Sequence, residues 1–242
     1  MSSRLTARQQ PRETFVVGDV HGCADELEEL LGRAELDPAL HRCIQVGDLF
    51  TRGPNPAGVW ELVRGYGIEC LRGNHETFLL DLLPRLATGE AVGNERELKR
   101  FAAATAAEGE LAHLIETLAA LPLWIRSAPG DRSHPWVVVH AGVDPHTGFS
   151  PDAPVETLTQ IRLWPPSGNL STHWHDFYRG DELVIFGHDA IGGLVEWRDV
   201  SGKPRAIGLD TGCVYGCRLT GYWIERDTFI SVPARATWWP VR

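Results

Sequence analysis

The sequence has no excess of positive charge. Its 23 Lys and Arg residues stand against 32 Asp and Glu residues, which gives a formal net charge of −9. A protein that binds duplex DNA or long RNA needs a basic face to neutralise backbone phosphates, so we expect no nucleic-acid polymer as a partner. Small phosphorylated ligands stay open, because bound metal ions would supply local positive charge that the formal count leaves out.

Cysteines and long apolar runs are also scarce. The chain has 5 cysteines, and an odd number without the dense spacing of a disulfide framework is typical of a reducing compartment. No stretch approaches the roughly 18 to 20 apolar residues of a membrane-spanning helix, and the polar N-terminus has no apolar signal core. We therefore expect a cytoplasmic protein with no membrane partner. The sequence contains no pattern that fixes an oligomeric state.

The composition is that of an ordinary globular protein. Hydrophobic residues make up 43% and charged residues 23% of the 242 residues, and a layered α/β fold of this length is commonly one domain. We predict a disordered lead-in over residues 1–12, which are polar, followed by a single domain over residues 13–242.

Strands and helices alternate in the first third of the chain. Apolar runs from Thr14, Cys43 and Ile68 predict buried strands, and the amphipathic segments between them predict helices. This alternation predicts parallel pairing in an α/β sheet. Residues 77–121 are rich in Ala, Leu and Glu, which predicts a helical insert that serves either as scaffold or as a cap over a substrate.

The second half of the sequence predicts a second sheet. Apolar runs from Trp136 and Leu183 predict two further strands, and the segment after residue 194 has the alternation of antiparallel hairpins. We predict that residues 145–180 are irregular, with one short helix near 153–161. The fold class is therefore α/β, a two-sheet β-sandwich flanked by helices.

A metal-capable side chain follows each of the predicted buried strands. Loops at the carboxyl ends of strands converge on one edge of an α/β sheet, where sites are built. Each motif alone is common in structural roles, but the five in this order predict one site. The segments are GDVHG (18–22), GDLFTRG (47–53), GNHE (73–76), HAG (140–142) and GH (187–188).

The ligand types predict the cofactor. Carboxylate, imidazole and amide oxygen suit divalent ions of borderline hardness. One aspartate with two usable oxygens can bridge a pair of ions about 3.5–4 Å apart, the spacing of two-metal hydrolytic sites. We expect two divalent metal ions, with Mn as the first choice and Fe, Zn, Co or Ni as alternatives.

On these motifs the chain resembles the phosphoprotein-phosphatase branch of the calcineurin-like metallophosphoesterases, over nearly all of residues 14–225. That branch has the metallophosphoesterase sandwich of two sheets between helices. The resemblance implies that Asp19 and His21 hold the first metal and that Asp48 bridges both metals. Asn74, His140 and His188 would complete the second. The implied metal ligands are Asp19, His21, Asp48, Asn74, His140 and His188.

The resemblance also implies how the substrate is handled. His75 would be the general acid for the leaving oxygen, and Arg52 would clamp the phosphoryl oxygens, with Asn74 as a further phosphate contact. A hydroxide held between the metals is available near neutral pH, because coordination lowers the pKa of water toward about 7. It would attack phosphorus in line while the metals and Arg52 offset charge on the equatorial oxygens.

Two departures from common family patterns narrow the function. Many metallophosphoesterases, including nucleases, end in GHxH, where the second histidine reaches the first metal. Here Ala190 stands in its place, as in the phosphoprotein-phosphatase branch, so we do not expect a nuclease. Protein phosphatases carry GDxxDRG, whereas this chain has Thr51 before the arginine. That position is apolar in the ApaH-type hydrolases, which cut diadenosine tetraphosphate symmetrically and which this chain also resembles. A leaving nucleoside diphosphate is a weak base and needs less help from His75 than a serine alkoxide does.

We therefore expect cleavage of dinucleoside polyphosphates at a phosphoanhydride. The alternative is a protein serine/threonine or broad-specificity phosphatase of the same branch, with the Thr51 hydroxyl or another carboxylate supporting His75. A third reading is a non-catalytic metal-binding module that recruits phosphoproteins. Arg162 and Asp210 are weaker candidates, for phosphate contact and for support of a ligand histidine. Aromatic side chains that either stack on a base or belong to the core are Trp164, Trp174, Phe177, Tyr178 and Tyr215.

Overall fold

The computed structural model describes residues 13–88, 110–128, 134–166 and 172–240. The predicted lead-in over 1–12 lies outside these ranges, as does the middle of the predicted helical insert. The single domain over 13–242 includes residues outside them and stays a prediction. No helix within the described ranges is long and apolar enough to cross a membrane.

The first sheet has five strands, with a parallel part and an antiparallel part. The parallel part consists of β1 (Thr14–Val17), β2 (Arg42–Gln45) and β3 (Glu69–Cys70). The antiparallel part is a hairpin of β11 (Arg218–Trp223) and β12 (Thr228–Pro233). Because β11 also pairs antiparallel with β1, the strand order is β12-β11-β1-β2-β3.

The second sheet also has five strands. Its centre is parallel and contains β5 (Trp136–Val139), β8 (Leu183–Phe186) and β10 (Pro204–Gly208). Antiparallel edge strands flank them, β4 (Trp124–Arg126) beside β5 and β9 (Val195–Arg198) beside β10. The order is therefore β4-β5-β8-β10-β9.

Alternate residues of the central strands show that the two sheets face each other. Val16 of β1 and Ile185 of β8 belong to one buried cluster between the sheets. Val17, the chain neighbour of Val16, points instead to the helix-covered face of the first sheet. Val184, the chain neighbour of Ile185, points to the outer face of the second sheet. Since side chains of a strand alternate between its faces, this is the arrangement of a sandwich.

The second helix begins and ends at residues that its sequence favours. In α2 (Pro56–Tyr66), the Asn55 side chain accepts the backbone N–H of Gly58 and a proline occupies the first turn, both common start signals. Gly67 ends this helix at a φ of 63°, a conformation that glycine adopts without strain. The others are α1 (Ala24–Arg33), α3 (Asn74–Ala87), α4 (Glu110–Ala120), α5 (Val155–Gln160) and α6 (Trp174–Phe177).

The predicted fold class is confirmed, with local differences. The described parts of the predicted insert, α3 and α4, bury Leu83 and Leu118 in the same cluster as α1, so they serve as scaffold. Residues 145–180 contain the predicted short helix α5, but also a ribbon of β6 (Leu163–Trp164) and β7 (Thr172–His173) that the sequence analysis did not predict. Strand β4 was likewise not predicted.

Candidate active site

The predicted site loops meet at one rim of the sandwich. Each parallel strand of the two sheets ends shortly before a polar residue of this rim, and carboxyl ends of parallel strands share an edge. Residues far apart in the chain therefore touch, as Asp19 and His188 do across 169 positions. The residues that follow the six strand ends are Asp19, Asp48, Asn74, His140, His188 and Asp210.

Asn74, His140 and His188 form one contact group. Oδ1 of Asn74 lies 2.9 Å from Nε2 of His140 and 3.0 Å from Nδ1 of His188. The other nitrogen of each ring faces a backbone carbonyl, that of Val46 at 3.0 Å for His140 and that of Gln160 at 3.2 Å for His188. Each imidazole is thus oriented by a carbonyl on one side and faces Asn74 on the other.

This group fits a metal ion. Burial lowers the pKa of His140 to about 4 and that of His188 still further, so each ring is neutral and carries one N–H. A carbonyl oxygen only accepts, so each N–H points to its carbonyl and a ring lone pair faces the Asn74 oxygen, itself an acceptor. A divalent cation among these three lone pairs would replace their repulsion with coordination.

Asp48 presents one carboxylate oxygen to each half of the site. Its Oδ1 lies 3.5 Å from Nε2 of His140, and its Oδ2 lies 3.6 Å from Nε2 of His21 and 3.9 Å from Nε2 of His75. At this rim, two groups have ligand atoms within 4.8 Å of one another, one of His21, Asp48 and His75 and one of Asp48, His140 and His188. The structure therefore contains a potential binuclear metal site that shares Asp48.

Asp19 lies at the same rim but faces the backbone. Its Oδ1 and Oδ2 lie 3.2 and 3.1 Å from the N–H of His188, which donates to them, and the carboxylate belongs to neither group of ligand atoms. Burial raises the pKa of Asp19 well above its usual value, and the neighbouring Asp210 and Asp48 raise it further. So much buried acidic charge favours a bound cation. The role of Asp19 as a ligand of the first metal stays a prediction.

Thr51 contacts both histidines on the other side of Asp48. Its Oγ1 lies 2.6 Å from Nδ1 of His75 and 3.3 Å from Nδ1 of His21. The partner of the His75 ring is therefore a hydroxyl, at the position where the protein phosphatases of the resembling branch carry a carboxylate. Burial, followed by the positive charge of Arg52, lowers the pKa of His75 to about 3.

A cavity of about 480 Å³ opens onto this rim. His75 and Arg52 line it, whereas Asp19 and His140 are buried and do not. Arg52 is held by Tyr215, because its Nη1 donates to the tyrosine hydroxyl and its guanidinium carbon lies 5.7 Å from the ring centroid. A guanidinium fixed in this wall suits the oxygens of a phosphoryl group.

Glu76 organises the site and was missed by the sequence analysis. Its fully buried carboxylate accepts the backbone N–H of Asp48 at 2.7 Å, of Leu49 at 2.8 Å and of Gly73 at 3.0 Å. Burial, followed by the charge of Asp48, raises the pKa of Glu76 to about 7, against the lowering effect of the Leu49 and Asp48 N–H groups. The motif GNHE contained the residue, but an acidic side chain in a first helical turn is ordinary and does not reveal partners elsewhere.

The glycines of the loops leave room for carboxylates. A Cβ at Gly73 would lie 2.3 Å from Oδ1 of Asp48, and one at Gly187 would lie 1.9 Å from Oδ1 of Asp19. These positions thus let neighbouring loops pack closely, which the ligand geometry requires. Four site residues also have positive φ values, namely His21 at 47°, Asp48 at 61°, Arg52 at 72° and His188 at 69°.

Some of the weaker site candidates line the cavity and others belong to the core. Arg162 and Asp210 line the cavity; Nη2 of Arg162 donates to the His188 carbonyl at 3.0 Å, and Asp210 accepts the Gly212 N–H at 3.1 Å. Among the aromatic candidates, Tyr215 lines the cavity and the other four do not. Trp239, which the sequence analysis did not single out, also lines it. The residues that belong to or pack on the outer core are Trp164, Trp174 and Tyr178, and Phe177 is exposed.

A two-sheet sandwich with carboxylates and imidazoles gathered at its strand ends places this protein among the metal-dependent hydrolases. The model of the family described as calcineurin-like phosphoesterase matches residues 14–206, and the chain belongs to that family.

Curated relatives and solved structures extend this comparison. The chain is 30% identical to the asymmetrical bis(5′-nucleosyl)-tetraphosphatase PrpE of Halalkalibacterium halodurans, over 91% of this chain and 93% of the relative. It is 28% identical to the symmetrical bis(5′-nucleosyl)-tetraphosphatase of Serratia proteamaculans, over 91% and 94%. A crystal structure provisionally named a diadenosine tetraphosphatase is 32% identical with a TM-score of 0.73, over 92% of this chain and 94% of that one.

Proposed function

We propose that this protein hydrolyses dinucleoside polyphosphates at a phosphoanhydride bond, with two divalent metal ions at the rim. The position of Asp48, with one oxygen toward His140 and the other toward His21, carries the proposal of a shared metal pair. Relatives named as symmetrical and asymmetrical tetraphosphatases both align over nearly the whole chain, which supports the substrate class without choosing the bond that is cut.

The proposed ligand set follows the rim. Asp19 and His21 would hold one metal, Asp48 would bridge, and the group around Asn74 would hold the other, with His140 and His188 as its imidazoles. When bound, two such ions neutralise phosphoryl oxygens and lower the pKa of coordinated water. Mn is our first choice, with Fe, Zn, Co or Ni as alternatives, because all accept this ligand set.

The protein side chains would bind and orient the substrate. Arg52, held against Tyr215, would pair with the equatorial phosphoryl oxygens, and Asn74 would add a contact beside the metals. His75 would point its Nε2 toward the leaving oxygen while Thr51 holds its Nδ1. A hydroxyl fixes the ring but supplies no negative charge to stabilise an imidazolium, so the arrangement favours a leaving group that needs little protonation.

A nucleotide is such a leaving group. Its terminal phosphate has a second pKa of about 6, so it departs as a weak base. A serine alkoxide is strongly basic and needs a proton from a positioned acid as it leaves. The Thr51 contact therefore favours anhydrides over phosphoproteins, while a protein serine/threonine or broad-specificity phosphatase remains the alternative function. We also propose a cytoplasmic location, which the odd number of cysteines without the spacing of a disulfide framework supports.

A competition assay tests the proposal. The metal-loaded protein is given diadenosine tetraphosphate and a phosphoserine peptide together, and the products are separated. We expect the dinucleotide to be cleaved first, either to two molecules of nucleoside diphosphate or to a monophosphate and a triphosphate. Preference for the peptide would support the alternative function. Failure to turn over even p-nitrophenyl phosphate with added Mn²⁺ would favour a non-catalytic module.

A further inference from the structure

A second cavity adjoins the catalytic one. Its volume is about 550 Å³, and it shares Arg162, Asp189 and Ile191 with the catalytic cavity of about 480 Å³. We call it the outer groove, and its own wall includes Leu163 and Pro166. Both volumes fall in the range of about 300–1,000 Å³ that is typical of small-molecule sites.

The outer groove exposes apolar side chains to water. Ile191 is 90% exposed and lies in the wall of both cavities, on the loop that carries His188. Leu163, which lines the outer groove but not the catalytic cavity, is 41% exposed. Apolar surface gathered beside a catalytic cavity is stabilised when an apolar face of a ligand covers it.

Arg162 stands where the two cavities meet. Its Nη2 donates to the His188 carbonyl at 3.0 Å, and its Nε lies 3.7 Å from Oδ1 of Asp189. The side chain is 49% exposed, so these contacts fix the guanidinium without enclosing it. Arginine has five N–H donors, and those without a partner among the described residues can contact the oxygens of an anionic chain.

We propose that the outer groove binds the second nucleoside of a dinucleoside polyphosphate and that Arg162 contacts the phosphate chain between its two ends. This inference rests on the proposed function, because a substrate with two nucleosides is needed to occupy both cavities. The first nucleoside lies in the catalytic cavity, where Tyr215 and Trp239 offer aromatic faces to its base.

Smaller polar substitutions test the groove. Ile191→Thr and Leu163→Thr each replace an exposed apolar side chain with a shorter one that carries a hydroxyl, and so remove apolar contact. We expect kcat/KM for diadenosine tetraphosphate, relative to that for p-nitrophenyl phosphate, to fall about fivefold to tenfold in each variant, mainly through KM. Val200→Thr is the matched control, because Val200 is fully exposed and lines neither cavity, and its ratio should equal that of the wild type.

A substrate with one nucleoside gives a second measurement, which uses only the wild-type protein and so does not depend on whether a variant folds. Wild-type KM for adenosine 5′-tetraphosphate should exceed that for diadenosine tetraphosphate by about tenfold, because the outer groove stays empty of a base. Thermal unfolding of each variant shows whether a lost activity reflects the groove or the fold.

The outcomes separate this inference from the proposed function. If the wild type cleaves the dinucleotide but the substrate ratio is unchanged in both groove variants, the groove assignment is wrong and the function stands. If the wild type cleaves p-nitrophenyl phosphate but not the dinucleotide, both are wrong. If Ile191→Thr and Leu163→Thr selectively lose activity on a phosphoserine peptide, the groove binds peptide and the inference is overturned.

Discussion

Thr51 and His75 are joined by a hydrogen bond of 2.6 Å between Oγ1 and Nδ1. The same hydroxyl lies 3.3 Å from Nδ1 of His21, so one neutral group orients two imidazoles of the rim. A carboxylate in its place would add negative charge beside both rings, raise the pKa of His75 and keep more of that ring in the protonated form that can donate a proton. The identity of this one side chain therefore bears on which leaving groups the site can expel.

Thr51→Asp is expected to shift the substrate preference. The carboxylate would stabilise the protonated form of the His75 ring, which helps a basic alkoxide to leave more than it helps a nucleotide. The ratio of kcat/KM for a phosphoserine peptide to that for diadenosine tetraphosphate should rise at least about tenfold. Thr51→Ser keeps the hydroxyl and serves as the control. An unchanged ratio in Thr51→Asp would remove this explanation of substrate choice.

Activity should depend on metal and on Asp48. Dialysis against a chelator is expected to abolish hydrolysis, and readdition of Mn²⁺ should restore it. Asp48→Asn removes one anionic oxygen from the shared position, so kcat should fall at least about a hundredfold and calorimetry should show weaker metal binding. Asp25→Asn, on the exposed face of α1, is the control. Full activity of demetallated protein would contradict the two-metal site.

Glu76→Gln should destabilise the fold even without metal. A glutamine amide has one acceptor oxygen and brings N–H groups against the backbone donors of Asp48, Leu49 and Gly73, so at least one buried N–H loses its partner. We expect a loss of about 2–3 kcal/mol in the free energy of unfolding, measured with urea in the presence of chelator. Glu61→Gln on the exposed side of α2 should change it by less than about 0.5 kcal/mol. Equal losses in the two variants would refute the bridging role of Glu76.

Tyr215→Phe should weaken substrate handling and leave the fold intact. The variant retains the aromatic face but loses the hydroxyl that accepts from Arg52. Because a net hydrogen bond contributes about 0.5–1.5 kcal/mol, kcat/KM should fall about threefold to tenfold, with an unchanged unfolding temperature. Tyr66→Phe on α2 is the control. A wild-type kcat/KM in Tyr215→Phe would show that Arg52 needs no support from the tyrosine.

The ion pair of Arg198 and Asp227 gives a pH-dependent contribution to stability. Hydrogen bonds from Arg198 and from the Tyr222 hydroxyl lower the pKa of Asp227 below its usual value. The contribution is therefore present above the unfolded pKa of about 3.9 and is lost as the pH falls through the folded pKa. Because the pair is partly exposed, Asp227→Asn should cost less than about 1 kcal/mol at pH 7, and the difference should vanish in acid. A difference that grows on acidification would reverse this sign.

The site loops were predictable because the sequence signal of each loop lies within a few consecutive residues. An apolar run that ends in Gly-Asp or a histidine contains its own signal, and the rule that strand ends share an edge brings the loops together. The structure places Asn74, His140 and His188 in contact as those patterns require. The assignment of metals to individual ligands stays a prediction.

The missed features depend on partners far apart in the chain. Glu76 is recognisable only through the N–H groups of residues 27 and 28 positions before it. Trp239 reaches the cavity from the end of the chain, where no motif precedes it. Strand β4 has three residues, too few for an alternating pattern to stand out.

The positive φ values of His21, Asp48, Arg52 and His188 have a consequence for engineering. A residue with a side chain in that region is strained, by about 1–3 kcal/mol in sparsely populated cases, and glycine is not. Selection of variants by unfolding temperature alone should therefore enrich glycine or asparagine at these positions. A thermostability screen that does not also measure turnover is therefore expected to replace the site residues at these positions before it selects substitutions in the hydrophobic core.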